Sequence, residues 1–100
     1  MLKIKLFCAG GMSTSILVKK MLEAAEKKGI EVEIGAYPES QIDKETENCD
    51  IALLGPQVGY RLKAAEQFCK PKNIPVGVIP MVDYGMMNGE KVLDFALNLK

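Results

Sequence analysis

Patterns typical of strands and of helices alternate four times along this chain of 100 residues, and the alternation restricts the folds that it can adopt. Residues 2–8 alternate apolar and polar side chains at first and then become apolar, as a strand that enters a core does. Residues 30–34 alternate throughout, as a strand with one solvated face does. Residues 51–54 and 76–79 are short apolar runs, typical of strands that are covered on both faces. We therefore predict one α/β domain over residues 1–100, with a parallel sheet and right-handed crossover connections.

The intervening segments have helical spacing. Apolar residues recur at Leu17, Met21, Ala24 and Ala25, with charged residues on the opposite face. The predicted helices cover residues 15–28, 58–69 and 90–99, while the acidic stretch 40–47 is either a short helix or a loop. The simplest arrangement is a four-stranded parallel sheet in the order 2-1-3-4 with helices on both faces. In that order Cys8 lies at the carboxyl end of a central strand, where the direction of winding switches.

The balance of ionisable residues excludes several classes of function. Thirteen basic residues match thirteen acidic ones, so no basic surface for nucleic acid or an anionic membrane is expected. Histidine is absent, which excludes a Ser-His-Asp triad and a Cys/His zinc site. No apolar segment has the roughly 20 residues that a membrane span requires, and the beginning of the chain does not resemble a signal peptide. We expect a cytoplasmic protein whose three cysteines are free thiols.

The loop after the first strand is the best candidate for chemistry. It reads Cys8-Ala9-Gly10-Gly11-Met12-Ser13-Thr14-Ser15. The paired glycines allow backbone amides to turn inward, and a following helix N-terminus favours both a thiolate and a phosphate. The alternative is a tight turn that holds an inert buried thiol. Cys49 and Cys69 lie in apolar surroundings, and we interpret both as packing residues.

The same loop, beginning at Leu6, closely resembles the phosphocysteine loop of enzyme IIB subunits. These subunits belong to the lactose/cellobiose (chitobiose) family of the bacterial phosphoenolpyruvate-dependent sugar phosphotransferase system. The segment 53–60, which contains Gly55-Pro56-Gln57, looks like the second characteristic segment of that family. The chain length, the four predicted strands and the Asp83-Tyr84-Gly85 region also match, so the resemblance covers essentially the whole chain.

The resemblance implies a phosphoryl carrier, a single IIB phosphotransferase domain with the fold of low-molecular-weight tyrosine phosphatases. Its catalytic residue would be Cys8, which accepts phosphate from a phosphohistidine of a IIA subunit. The phosphate would pass to a β-glucoside-type sugar (cellobiose, chitobiose or lactose) held by the IIC membrane permease. No metal or cofactor is implied, and we expect a monomer that docks transiently. The implied phosphate-binding residues are Ala9, Gly10, Gly11, Met12, Ser13, Thr14 and Ser15.

Surface residues near Cys8 have roles that the sequence leaves open. Candidate apolar contacts for the partners are Met12, Tyr84, Met86 and Met87, although methionine serves equally well as core filling. Gln57, Tyr60 and Arg61 follow the third strand, so they should lie at the same edge of the sheet as Cys8. They either contact the phosphate or a partner, or are ordinary surface residues.

Two other functions compete with the carrier. A low-molecular-weight phosphatase or arsenate-reductase-like enzyme needs the pattern Cys-x5-Arg, whose arginine clamps the phosphoryl oxygens. This sequence has Thr14 at that position, and its only arginine is Arg61. Asp83 is the one carboxylate expected near the site that could act as an acid. The other competing function is a regulator that uses Cys8 as a redox sensor.

Overall fold

The computed structural model describes residues 1–9 and 12–99, with the backbone but not the side chains of Met12 and Ser13. Gly10 and Gly11 of the predicted phosphate-binding loop lie outside the described residues. The strands are β1 (Leu2–Cys8), β2 (Val32–Pro38), β3 (Ile51–Leu54) and β4 (Val76–Val78). Within the described part of the chain they form a four-stranded parallel sheet in the order β2-β1-β3-β4. The predicted fold class and strand order are therefore confirmed.

Five α-helices occur among the described residues. They are α1 (Met12–Lys28), α2 (Ile42–Glu45), α3 (Leu62–Cys69), α4 (Met81–Gly85) and α5 (Gly89–Asn98). Short 3₁₀ turns at 39–41 and 46–48 flank α2, and a longer one at 56–61 precedes α3. None of these helices is long and apolar enough to cross a membrane, as far as the described residues extend.

The second strand begins two residues later than predicted and continues to Pro38. Ile30 is not available to the sheet because its amide donates to the carbonyl of Ala25 at 3.0 Å, while Gly29 adopts φ +70. This left-handed glycine and the bond across the last turn terminate α1. The strand then extends through Ala36 and Tyr37, which pair with Leu6 and Phe7 of β1.

The two faces of the sheet carry separate cores. On one face α1 and α5 cover apolar side chains of β1 and β3, including Ile4, Leu6, Ile51 and Leu53. On the other face α2 and α3 enclose a smaller core around Phe7, Leu54, Val58, Ala65 and Cys69. The alternation of β1 thus continues to its end, since Phe7 faces one core and its neighbours Leu6 and Cys8 point to the opposite side.

Gly89, the first residue of α5, lies directly against the backbone of α1. A Cβ atom at Gly89 would lie 2.6 Å from the carbonyl oxygen of Lys20 and 2.6 Å from the amide nitrogen of Met21. Both neighbours are backbone atoms in the middle of α1, so they cannot move aside as a flexible side chain would. The two helices can pack at this distance only because residue 89 has no side chain.

We predict that Gly89→Ala lowers the free energy of unfolding by about 1–3 kcal/mol, because the added methyl group forces the two helix backbones apart. Urea denaturation followed by circular dichroism measures the change. Gly85→Ala is the matched control, since no described atom beyond its chain neighbours and its own helix backbone lies within 4 Å of the position that its Cβ would occupy. Equal stability of the Gly89→Ala variant and the parent chain would show that α1 and α5 are not packed this closely.

Candidate functional site

Cys8 lies at the carboxyl edge of the sheet, between the ends of two neighbouring strands. It ends β1, pairs with Pro38 of β2 and is only 7% exposed. Its Sγ lies 3.8 Å from the carbonyl oxygen of Tyr37, to which the thiol donates. On the other side, the amide of Gly55 donates to the carbonyl of Phe7 at 2.8 Å. A Cβ at Gly55 would stand 3.7 Å from the Cβ of Cys8, so this close neighbour is a residue without a side chain.

Helix α1 starts four positions after Cys8 in the chain. It is 17 residues long and has no acidic residue in its first turn. The first four amides of a helix have no partner within the helix, and together they carry a partial positive charge. Among the predicted phosphate-binding residues, Ala9 and Ser15 are exposed, whereas Thr14 is buried. The thiol of Cys8 and the start of α1 are thus close together in the chain. A helix start next to a thiol is suited to binding an anion.

The buried side chain of Thr14 makes a contact that the sequence did not reveal. Its Oγ1 lies 3.1 Å from the hydroxyl oxygen of Tyr84, and one hydroxyl donates to the other. Thr14 is 2% exposed and Tyr84 is 9% exposed. The hydroxyl of Thr14 is therefore engaged inside the protein. Seventy positions separate the two residues, so no local pattern could have indicated the pair.

The residues after β3 approach the same edge. The side chain of Gln57 is exposed and lies against Gly55, where its Oε1 would be 3.3 Å from an added Cβ. Tyr60 is 77% exposed. Both residues stand in the 3₁₀ turn at 56–61, which contacts β1. The structure thus places Gln57 and Tyr60 at the edge that contains Cys8, as the parallel topology predicted.

Arg61 is paired with a carboxylate that sequence reasoning did not single out. Its Nε lies 2.7 Å from Oε2 of Glu39, and both atoms are shielded from solvent. The two groups meet as an ion pair without hydrogen-bond geometry. Glu39 directly follows β2, and Arg61 ends the turn after β3. The pair therefore joins the segments that leave the sheet on either side of β1.

Short helix α4 presents apolar side chains outward. Met81, Val82 and Met86 lie in or directly after this helix and are 73%, 70% and 73% exposed. Of the contacts suggested by the sequence, Met86 is exposed, whereas Met87 is half-buried against the core and Tyr84 is buried. The side chain of Met12 lies outside the described part. The structure therefore corrects the interpretation of Tyr84 as an exposed contact, because its ring packs inward.

Comparison with known proteins identifies the family. The model of the phosphotransferase system lactose/cellobiose-specific IIB subunit matches residues 3–95. A galactose-specific IIB component of Lactococcus lactis subsp. cremoris is 44% identical over 96% of this chain and 94% of its own length. An oligo-β-mannoside-specific IIB component of Bacillus subtilis is 40% identical over 99% of this chain and 96% of its own length. The chain belongs to the lactose/cellobiose-specific IIB family.

Solved structures support the family assignment and show that a second group of proteins has a similar fold. The cellobiose-specific IIB component of Borrelia burgdorferi is 42% identical, with a TM-score of 0.79 over 98% of this chain and 90% of that protein. A mutant of YwlE from Bacillus subtilis, a low-molecular-weight tyrosine phosphatase, has a TM-score of 0.60 at 15% identity, covering 99% of each chain. At that identity the likeness concerns the fold alone. IIB proteins and these phosphatases thus share a fold, as the sequence predicted.

The other two cysteines of this IIB protein lie where they were expected, in apolar surroundings. Cys69 is fully buried in the core beneath α3, and Cys49 is half-buried before β3. Burial raises the pKa of Cys49 to about 11 and also raises the pKa of Cys69. Because the thiolate is the nucleophilic form, both thiols are held in the unreactive state near neutral pH. Among the described residues, no group of three acidic, cysteine or histidine side chains could hold a metal ion.

We predict that iodoacetamide at about pH 8 leaves Cys49 and Cys69 unmodified in the folded chain, so that any label gained maps to Cys8. Because burial raises its pKa, the thiolate fraction of Cys49 should increase about tenfold per pH unit until it approaches pH 11. Peptide mapping measures the rates, with the urea-unfolded chain as the control in which all three thiols react. Alkylation of Cys49 at the unfolded rate near pH 8 would contradict its burial.

Proposed function

We propose that this IIB protein accepts a phosphoryl group on the thiolate of Cys8 from a phosphohistidine of a IIA subunit. It then passes the group to a hydroxyl of a sugar held by the membrane permease IIC. The proposal is supported above all by the position of Cys8, at the carboxyl end of β1 and four positions before α1, in a chain of the IIB family. We further propose that residues 1–100 act in the cytoplasm as one monomeric IIB domain.

The proposed reaction consists of two displacements at phosphorus. In the first, the sulfur attacks the phosphorus in line, a sulfur–phosphorus bond forms, and the nitrogen–phosphorus bond breaks with its electron pair left on the histidine. In the second, the sugar oxygen attacks, loses its proton to a base or to water, and the thiolate leaves. The protein must stabilise the negative charge on the phosphoryl oxygens in both steps, which is the main requirement of phosphoryl transfer.

We assign that charge stabilisation to backbone amides of residues 9–15. Three observations support the assignment: the start of α1 follows Cys8 closely, its first turn has no acidic side chain, and the Thr14 hydroxyl is engaged with Tyr84. Amides are fixed dipoles and do not titrate, so they bind a phosphoryl group equally well over a wide pH range. The amides of this loop therefore form the proposed cradle, and no cofactor is required.

The arrangement of charge favours a carrier over the alternative phosphatase. A phosphatase of this fold requires an arginine six positions after the cysteine, where this chain has Thr14. The single arginine of the sequence, Arg61, is paired with Glu39 at 2.7 Å. A bidentate arginine clamp would stabilise the transition state for hydrolysis. Without it, we expect the phosphocysteine to persist until the sugar accepts the phosphoryl group.

The sugar is proposed at the level of its class. The relatives described above are named for galactose and for oligo-β-mannosides, and the Borrelia burgdorferi structure is a cellobiose-specific component. We propose a β-glucoside-type sugar, such as cellobiose, chitobiose or lactose. Since a carrier meets the sugar only at transfer, the choice among these sugars belongs to the permease.

The exposed apolar side chains of Tyr60, Met81, Val82 and Met86 are the proposed contact surface for IIA. Helix α4 follows β4 and Tyr60 follows β3, so these side chains border the sheet edge at which Cys8 lies. An apolar centre surrounded by polar residues is typical of specific but transient protein interfaces.

We predict that intact-mass spectrometry shows one acid-resistant phosphate on the parent chain after incubation with phosphoenolpyruvate, the general phosphotransfer proteins and a matching IIA subunit. Cys8→Ser should lose this mass gain completely, because serine lacks a thiolate, while its far-ultraviolet circular dichroism stays unchanged. Cys49→Ser and Cys69→Ser are the controls that retain it. Phosphate on a residue other than Cys8, or hydrolysis of an aryl phosphate without accumulation, would refute the carrier.

We predict that Val82→Lys increases the KM for phosphorylated IIA about tenfold, because burying an ammonium group in an apolar interface is costly. The kcat should change much less, since Val82 does not contact the reacting atoms in this proposal. Leu22→Lys on α1 is the matched control, as it adds the same charge at another exposed apolar position. Equal KM values for the two variants would remove α4 from the proposed interface.

A further inference from the structure

We infer that Tyr84 is a positioning residue for phosphoryl transfer, whose hydrogen bond to Thr14 couples the outward face of α4 to the first turn of α1. The inference rests on the proposed function, because it concerns the loop that would hold the phosphoryl group. It assigns a role to a residue that acts through its hydrogen bond to Thr14. Three features of the structure support it.

The first feature is the way in which α4 is attached to the protein. Of its five residues, Tyr84 is the buried one, while Met81, Val82 and Gly85 are exposed. The Tyr84 ring belongs to the core on the α1 side of the sheet, together with Leu17. A helix this short has little stability of its own. Within the helix itself, its orientation therefore depends mainly on the contacts of Tyr84.

The second feature is the position of the partner hydroxyl. Thr14 is the third residue of α1, so its hydroxyl belongs to the turn whose backbone amides are proposed to hold the phosphoryl group. Its Oγ1 lies 3.1 Å from the Tyr84 hydroxyl, and the bond is buried. Leaving a buried hydroxyl without a hydrogen-bond partner costs free energy, so the two side chains resist being moved apart. A shift of α4 is therefore transmitted to the start of α1.

The third feature is a second attachment, farther along α1. Residues 86–88 connect α4 to α5, and Met87 in this connection adopts φ +52, a conformation that methionine rarely takes. Gly89 then packs directly on the backbone of Lys20 and Met21. The end of the connection is thus fixed against the middle of α1, and the Tyr84 hydroxyl fixes α4 against its start. With both attachments in place, the apolar face of α4 holds one position relative to Cys8.

This arrangement gives partner docking a physical route to the site. A IIA subunit that presses on Met81 and Val82 contacts a helix whose inward residue is bonded to the phosphoryl-holding turn. Small displacements of groups around a reacting centre reduce phosphoryl transfer strongly, since the reaction depends on in-line geometry and aligned dipoles. The Tyr84 hydroxyl should therefore influence the rate of transfer more than the affinity for IIA.

Tyr84→Phe tests the inference because it keeps the ring in the core and removes only the hydroxyl. In the phosphorylation assay with purified, phosphorylated IIA, we expect kcat to decrease about tenfold while KM changes less than twofold. Thr14→Val should have the same effect. The double variant Tyr84→Phe/Thr14→Val should be no slower than either single variant, because both remove one shared interaction. Thr14→Ser, which retains a hydroxyl, should restore most of the parent kcat.

Thr46→Val separates positioning from general stability. Thr46 is fully buried, and its hydroxyl donates to the carbonyl of Ile42 at 2.7 Å, in the turn before β3. Its removal also deletes one buried hydroxyl and should lower the urea midpoint of unfolding without changing kcat. If Thr46→Val lowered kcat as much as Tyr84→Phe does, the role of Tyr84 would be merely structural and the inference would be wrong.

Other outcomes distinguish the inference from the function on which it rests. A parent chain that accepts phosphate on Cys8, together with a Tyr84→Phe variant of unchanged kcat, would overturn the positioning role and leave the carrier intact. A decrease in the kcat of the double variant equal to the product of the two single decreases would show that the two hydroxyls act separately. That result would also overturn the positioning role of Tyr84. A parent chain that accepts no phosphate from active IIA would overturn the proposed function itself.

Discussion

The pairing of β1 between β2 and β3 is the constraint on which the rest of this structure depends. Because all three strands run parallel, their carboxyl ends meet at one edge, and Cys8 is the residue at which the central strand leaves the sheet. Its neighbours at that point are Pro38 of β2 and Gly55, which follows β3. The hydrogen bond from the amide of Gly55 to the carbonyl of Phe7 holds the chain after β3 against the end of β1. A strand order with β1 at the edge would leave the thiol beside only one neighbour.

The one hydrogen bond of the Cys8 thiol within the described residues is to a backbone group. A carbonyl of β2 accepts from Cys8, and the start of α1 supplies amides nearby in sequence. The guanidinium of Arg61 is paired with the carboxylate of Glu39, which directly follows β2. The proposed carrier needs this combination, because a phosphoryl group must be bound without being driven to hydrolysis. Sharing a fold with a phosphatase therefore does not imply sharing its reaction, since the arginine clamp is a matter of individual residues.

Helix α1 connects the chemistry of the site to the surface around it. Its start follows Cys8, its middle is in backbone contact with Gly89, and Thr14 is bonded to Tyr84. Helix α4 depends on this support because it is short and its remaining side chains are exposed or half-buried. The exposed methionines at this edge are consistent with a surface that meets more than one partner, since methionine adapts to different contours.

The sequence by itself determined the fold class, the strand order and the family, because these depend on local periodicity and on contiguous motifs. Leu17, Met21, Ala24 and Ala25 are buried on one face of α1, as their spacing indicated. The same local reasoning misplaced β2 by starting it at Ile30, whose amide closes α1, and it did not predict α4, which is too short to show a period. The function of the Cys8 loop remains a proposal that the sequence motif and the position of the thiol jointly support.

Only the tertiary structure decided how side chains distant in sequence are paired. Tyr84 bonds to Thr14 across 70 positions, and Arg61 meets Glu39 across the end of β1. Nothing in the local pattern distinguishes a tyrosine that points outward from one whose hydroxyl is buried against another helix. Such pairs form only when elements that are distant in the sequence pack against each other. Their contribution to stability depends on burial, which a local window of the sequence does not reveal.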